Sequence, residues 1–156
     1  MIKRVLKISA IILIIVFIAI QFVPVAHTNP PVHLEQDLLE HSEFTSAQKR
    51  LVKAACYDCH SNETVYPWYS YVAPMSFIIE NHIVEGREEL NFNAFMIYSE
   101  RKKEHKLEEI VEALDKGWMP LNGYVALHGE AKLSAEQRAE LATAFSDLRT
   151  QMQRGF

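Results

Sequence analysis

The chain's only two cysteines stand three positions apart, with a histidine directly after the second: Cys56-Tyr-Asp-Cys59-His60. No other feature restricts the fold as much. Two thiols and an imidazole so close together, near a helix end, converge on one point, and the remaining chain has to fold around it. The flanking patterns are helical. Thr45 or Ser46 can cap a first helix that runs to about Ala55, turns Leu51, Val52 and Ala55 inward, and ends at the cysteine motif. Pro74 suits the first turn of a second helix, with Met75, Ile78, Ile79, His82 and Ile83 on one inward stripe and Gly86 as its stop. A third helix, from about Ser99 to Lys116, spaces Leu107, Ile110, Val111 and Leu114 at helical intervals before Gly117. The last opens on a capping box, Ser134-Ala-Glu-Gln137, and buries Leu141, Phe145, Leu148 and Met152. Strand-like alternation is missing, so the expected class is all-α with about four helices.

The N-terminus adds a separate element. Lys3, Arg4 and Lys7 precede an apolar run from Ile8 to about Val25, interrupted only by Ser9, Gln21 and Pro24. A basic flank before such a run is an export signal, and its length lies between a signal-peptide core and a full span of roughly 20 residues. Pro24-Val25-Ala26 is a poor small-x-small cleavage site, so residues 1–26 are expected to form an uncleaved signal anchor with a transmembrane helix. The positive-inside rule then puts everything beyond it outside a bacterial cytoplasmic (inner) membrane, facing the periplasm or the exterior. Residues 27–33, with Asn29-Pro-Pro31, read as an extended linker, and 34–156 as a single domain. Setting Lys3, Arg4 and Lys7 aside from the 16 basic residues leaves 13 against 20 acidic ones, a formal charge of −7. That argues against a nucleic-acid role. An acidic surface can steer a basic redox partner, or simply keep the domain soluble.

C-x-x-C-H is the pattern of covalent haem attachment: each thiol reaches one vinyl group of the same porphyrin, and the adjacent histidine lies beneath the iron as proximal ligand. Three other readings compete. A dithiol redox site would follow a strand, and none is expected before Cys56. A disulfide across so short a loop would constrain little chain. Zinc would need further ligands, usually a second cysteine pair. Haem c, one group bound through Cys56 and Cys59, is the preferred cofactor. For the iron's other face, Met119 follows His60 by 59 positions, in the stiff loop Gly117-Trp-Met-Pro120. Its rivals are His82, from its inward stripe, and His128; an ordinary core methionine is the plainer reading of Met119. Tyr66, Trp68 and Tyr69 concentrate aromatic rings beside the motif, suited to a haem wall or to propionate hydrogen bonds, and Arg87 could pair with a propionate; aromatic core and surface arginine are the plain alternatives.

From about Leu51 to Leu141 the chain resembles small exported haem-binding domain proteins related to class I cytochromes c. The resemblance rests on Cys56-x-x-Cys59-His60-Ser-Asn-x-Thr64, Tyr66-Pro-Trp-Tyr69, Pro74-x-Ser76, His82-Ile83, Gly86-Arg87, Leu90-Asn-Phe92, Gly117-x-Met119-Pro120, Tyr124, His128 and Ala131-x-Leu-Ser134. It implies a cytochrome c-like helical domain around one haem c, with His60 proximal and Met119 distal, a bis-histidine arrangement through His82 staying open. The expected function is single-electron transfer to redox partner proteins of unknown identity, with no catalytic side chains. A haem-based sensor or gas-binding module is the alternative. A peroxidase-like enzyme ranks lowest, since only His82 or His128 could serve as its acid–base group.

Overall fold

The expected all-α class is realised. The structure, a computed structural model, describes residues 1–154; positions 155 and 156 of the expected domain lie outside the described residues. Among the described residues there is no strand, and six α-helices follow one another: α1 (Ile2–Ile20), α2 (Ser46–His60), α3 (Met75–Glu89), α4 (Glu100–Lys116), α5 (Asn122–Val125) and α6 (Ala135–Gln153). Short 3₁₀ turns occupy Leu34–Gln36, Trp68–Tyr71, Phe92–Ile97 and Gly129–Ala131. The four expected helices correspond to α2, α3, α4 and α6.

Their ends follow from particular side chains. At α2, Thr45 Oγ1 accepts from the Gln48 N–H at 3.2 Å while Gln48 Oε1 accepts from the Thr45 N–H at 2.9 Å. Ser134 and Gln137 repeat the box at α6, at 3.2 and 2.8 Å. Such reciprocal caps satisfy donors that a helix start otherwise leaves orphaned. Gly117 ends α4 at φ +67°, a left-handed conformation open to glycine without strain.

Two helix ends differ from expectation. α2 does not stop at the cysteines but continues through His60, so all three motif side chains project from helical backbone. α3 does not stop at Gly86 and runs on to Glu89. This glycine serves a close approach instead: a Cβ there would lie 2.6 Å from the carbonyl oxygen of Cys59, on the helix that α3 crosses.

The core joins Val52 and Ala55 of α2, Leu107 and Leu114 of α4, and Leu141, Phe145 and Leu148 of α6, with Leu38, Leu39, Phe92 and Phe95 from the turns. α4 and α6 pack against each other, and the Phe145 ring meets Phe44 edge-on at 4.9 Å. One carboxylate is sunk into this core. Asp37, 2 % exposed, accepts from the Leu39 N–H at 2.7 Å, Tyr57 Oη at 2.9 Å and Asn93 Nδ2 at 2.6 Å, so its desolvation is offset by a full set of donors.

The N-terminal expectation needs correction. No helix among the described residues is long and apolar enough to cross a membrane. α1 forms, but Lys3, Arg4 and Lys7 occupy its first turns, and the apolar part, Ile8–Ile20, measures only about 20 Å against a hydrocarbon thickness of about 30 Å. The expected transmembrane helix is therefore not supported. Nor is the following segment a free spacer, although it is irregular as expected. Gln21 exchanges two hydrogen bonds with the Ala73 backbone, at 3.0 and 3.1 Å. His27 stacks on Tyr71 at 4.1 Å, Asn29 Nδ2 donates to the Thr64 carbonyl at 2.9 Å, and Asn62 Nδ2 donates to the Pro31 carbonyl at 2.9 Å. Residues 27–31 thus lie strapped along the loop that follows His60.

Replacing Asp37 by Ala is expected to lower stability by about 2–4 kcal/mol, because the Asn93 and Tyr57 donors lose a buried acceptor. Tyr57→Phe, which removes one donor and leaves the carboxylate otherwise satisfied, should cost about 1 kcal/mol. Denaturant titration followed by circular dichroism measures both.

Candidate functional site

The C-terminal turns of α2 carry Cys56, Cys59 and His60, and the geometry of His60 defines the site. Its Nδ1 lies 2.8 Å from the carbonyl oxygen of Gly86 and 3.1 Å from that of Leu90. Carbonyl oxygens only accept, so Nδ1 carries the proton and donates to both. That fixes the tautomer and leaves the Nε2 lone pair as the nitrogen available to a metal. Both carbonyls belong to the C-terminal end of α3, the negative pole of that helix, which makes the imidazole a better electron donor.

Both cysteines are unpaired and half-buried. Burial pushes the Cys56 thiol up to about 12, and the neighbouring Cys59 adds to the rise. Burial also pushes Cys59 up to about 11, with Asp58 adding to the rise and Arg87 opposing it. A dithiol exchange site works the other way, by lowering a thiol into the neutral range, so this pair is poorly built for exchange. Among the described residues no group of three or more His, Cys, Asp and Glu side chains is placed to hold a metal ion, so zinc would lack ligands here. An unpaired thiol pair on one helix, next to an imidazole held with Nε2 free, does fit a haem: Cys56 and Cys59 would hold its edge and His60 its iron.

The two residues between the cysteines point in opposite directions. Tyr57 is buried, stacks on Phe92 at 5.1 Å and donates to Asp37. Asp58 faces the other way: its carboxylate accepts from Tyr124 Oη at 2.7 Å and from the Val65 N–H at 3.0 Å. Burial, followed by the hydrogen bond and charge of Asp58, pushes the Tyr124 hydroxyl well above the usual phenol range.

The other expected site residues divide. Met119 sits in the loop between α4 and α5 and is 38 % exposed. His82 is exposed on α3, contrary to the inward stripe expected for it, because the buried face of α3 is centred on Ser76, Ile83 and Gly86. His128 is occupied: Nε2 is hydrogen-bonded to Tyr69 Oη, Nδ1 faces Glu130 Oε1 at 3.5 Å, and its ring stacks on Tyr124 at 4.2 Å. Tyr66 donates to the Thr28 carbonyl at 3.2 Å, and Trp68 stands 78 % exposed. Arg87 Nε donates to the Ser61 carbonyl at 2.7 Å, and Nη2 donates to Asn29 Oδ1 at 2.7 Å and Thr64 Oγ1 at 2.9 Å. Arg87 therefore knots the strap to the loop after the motif.

A family model described as haem-binding domain matches residues 15–147, which takes in the cysteine motif, the Gly86 crossing and the Met119 loop. The chain belongs to the haem-binding domain family. No curated protein and no solved structure matches it. For a haem-binding domain, the residues that reading the motif alone misses are those that orient it. Gly86 looks like a helix stop, Asp58 and Tyr57 look like spacers, and Asp37 looks like a surface acid. The signal for Asp37 was its place directly before the core pair Leu38-Leu39.

Gly86→Ala should force α2 and α3 apart and displace the His60 acceptors. The expected result is lower thermal stability together with lower haem content per folded protein, measured by absorbance and circular dichroism on one sample. The thiols supply a pH test. In haem-free protein, alkylation at pH 8 should be slow for both and slower for Cys56, rising about tenfold per pH unit until pH approaches 11 for Cys59 and 12 for Cys56. Raised thiol values favour the neutral form in the folded state, so this stabilisation is complete below the ordinary value of 9.0 and is lost as pH climbs towards 11–12.

Proposed function

We propose that this haem-binding domain carries one haem c, attached through Cys56 and Cys59, and works as a single-electron carrier outside the cytoplasmic membrane. The observation that carries the reading is the double donation from His60 Nδ1 to the Gly86 and Leu90 carbonyls, on a helix that also holds two unpaired cysteines. Such an anchored imidazole is what a proximal iron ligand requires. When bound, haem iron supplies one-electron chemistry between its ferrous and ferric states. The chain's part is to bind, orient and tune. Cys56 and Cys59 fix the porphyrin edge, His60 presents Nε2, and the end of α3 sets the basicity of that ring. Met119 is the proposed distal ligand, and its thioether would favour ferrous iron.

Two observations support a carrier over an enzyme. His128 has both ring nitrogens engaged, and His82 stands on the exposed side of α3, so neither is poised for peroxidase-like acid–base work. Export is supported by the basic turn before Ile8–Ile20, since an apolar stretch of that length is that of a signal-peptide core. The formal charge of −7 beyond that basic turn suits a redox partner with a basic docking face.

Expression with a cytochrome c maturation system tests the reading. Denatured protein should keep one haem by mass spectrometry and by peroxidase-stained gel, and the Cys56→Ala/Cys59→Ala double variant should lose it. In the ferric state a sulfur-to-iron charge-transfer band should be present, absent in Met119→Ala and retained in His82→Ala. Colourless exported protein with free thiols would overturn the haem reading; loss of the band in His82→Ala alone would overturn the ligand assignment.

A further inference from the structure

The Met119 loop is short and held at both ends. On one side Gly117 closes α4, Trp118 N–H donates to the Ala113 carbonyl at 3.0 Å, and Lys116 Nζ lies over the Trp118 ring at 4.4 Å. On the other side the chain enters α5, whose Tyr124 Oη donates to Asp58 Oδ2 at 2.7 Å. Asp58 is itself pinned: its Oδ1 accepts from the Val65 N–H at 3.0 Å and its carbonyl accepts from Thr64 Oγ1 at 2.7 Å. A second tie sits beside the first, where Tyr69 bonds to His128 and the His128 ring stacks on Tyr124. The Tyr124–Asp58 and Tyr69–His128 bonds join the segment after Met119 to the cysteine motif and to the aromatic loop that follows it.

We propose that Asp58 and Tyr124 are positioning residues: their hydrogen bond fastens the loop carrying Met119 to the helix that carries Cys56, Cys59 and His60, and so holds the thioether opposite the imidazole. The inference rests on the haem and Met119 reading above. A thioether is a weak ligand on a loop that can swing, so its occupancy is set by the balance between loop-on and loop-off states. A hydrogen bond to a charged acceptor is worth about ten- to a hundred-fold in such a balance. The side chain at the second x of C-x-x-C-H then acts on the ligand of the opposite haem face, by way of α5.

Exogenous imidazole reads that balance directly, because it takes the iron only when Met119 has left. In haem-loaded full-length protein, Tyr124→Phe and Asp58→Asn should each keep covalent haem by mass, tighten imidazole binding to the ferric form by about ten- to a hundred-fold, and weaken the sulfur-to-iron band. The double variant should go little beyond the stronger single one, since both act on the same bond, Tyr124→Phe by removing its donor and Asp58→Asn by removing the acceptor's charge. Phe145→Leu, a core change at a ring packed on Phe44 and Phe92, controls for general loosening and should leave imidazole affinity unchanged at a similar loss of stability. Affinities within about two-fold of wild type in both single variants would overturn the proposal. So would a matching gain in Phe145→Leu. A wild-type ferric spectrum without the sulfur band overturns the Met119 assignment and this inference together. A wild type with the band whose Tyr124 and Asp58 variants bind imidazole normally overturns this inference alone.

Discussion

Where α2 crosses α3, the Cys59 carbonyl oxygen lies 2.6 Å from the point a Cβ on Gly86 would occupy, and only glycine lets the two backbones come so near. The contact does more than close a gap. It brings the last turn of α3 under His60, so that the Gly86 and Leu90 carbonyls meet Nδ1 at 2.8 and 3.1 Å. The glycine costs α3 roughly 1 kcal/mol of helix propensity relative to alanine. In exchange the imidazole acquires one tautomer and one ring orientation, with the negative pole of a helix behind it. A bulkier residue at position 86 would undo these together, because backbone spacing and ligand orientation depend on the same approach.

Six further ties converge on a single stretch of chain, residues 57–64. Tyr57 donates to Asp37 in the core, Asp58 accepts from Tyr124, Ser61 accepts from Arg87, the Asn62 N–H donates to the Asn93 side chain, and Thr64 accepts from Asn29 and Arg87. Most of these are side chain to backbone or side chain to side chain and span more than 20 positions in sequence. In a chain of this length the hydrophobic core is modest. Specific polar ties supply what bulk apolar burial does not, namely a fixed orientation for a few residues.

This division explains what was legible in the sequence. Helix starts were readable because capping is local: Thr45 with Gln48 and Ser134 with Gln137 interact within one turn. Membership of a haem-binding family was readable because the motif and its flanking residues lie close together in sequence. The rotation of α3 was misread, since a periodic stripe ranks residues by hydrophobicity and gives no weight to Ser76 and Gly86, which are the buried positions at the crossing. His82 was carried inward by the same error. The Asp37, Asp58 and Arg87 contacts left no periodic trace, because long-range hydrogen bonds depend on which loops meet, and that is decided by the whole fold. The N-terminal run was over-read for a related reason: counting apolar residues to Val25 ran past the helix end at Ile20.

The strap at residues 27–31 bears on where the folded unit begins. Asn29 and the Pro31 carbonyl complete hydrogen bonds that the loop after His60 would otherwise lose, and Arg87 bonds the strap and that loop with the same Nη2. The hydrogen-bonded structure around that loop therefore takes in residues before Leu34. Removing Asn29 would leave Arg87 Nη2 with one protein acceptor in place of two and would loosen the loop that follows His60. The proline pair suits this role: it holds the backbone extended at little entropic cost, so that the polar side chains beside it reach their partners across the loop.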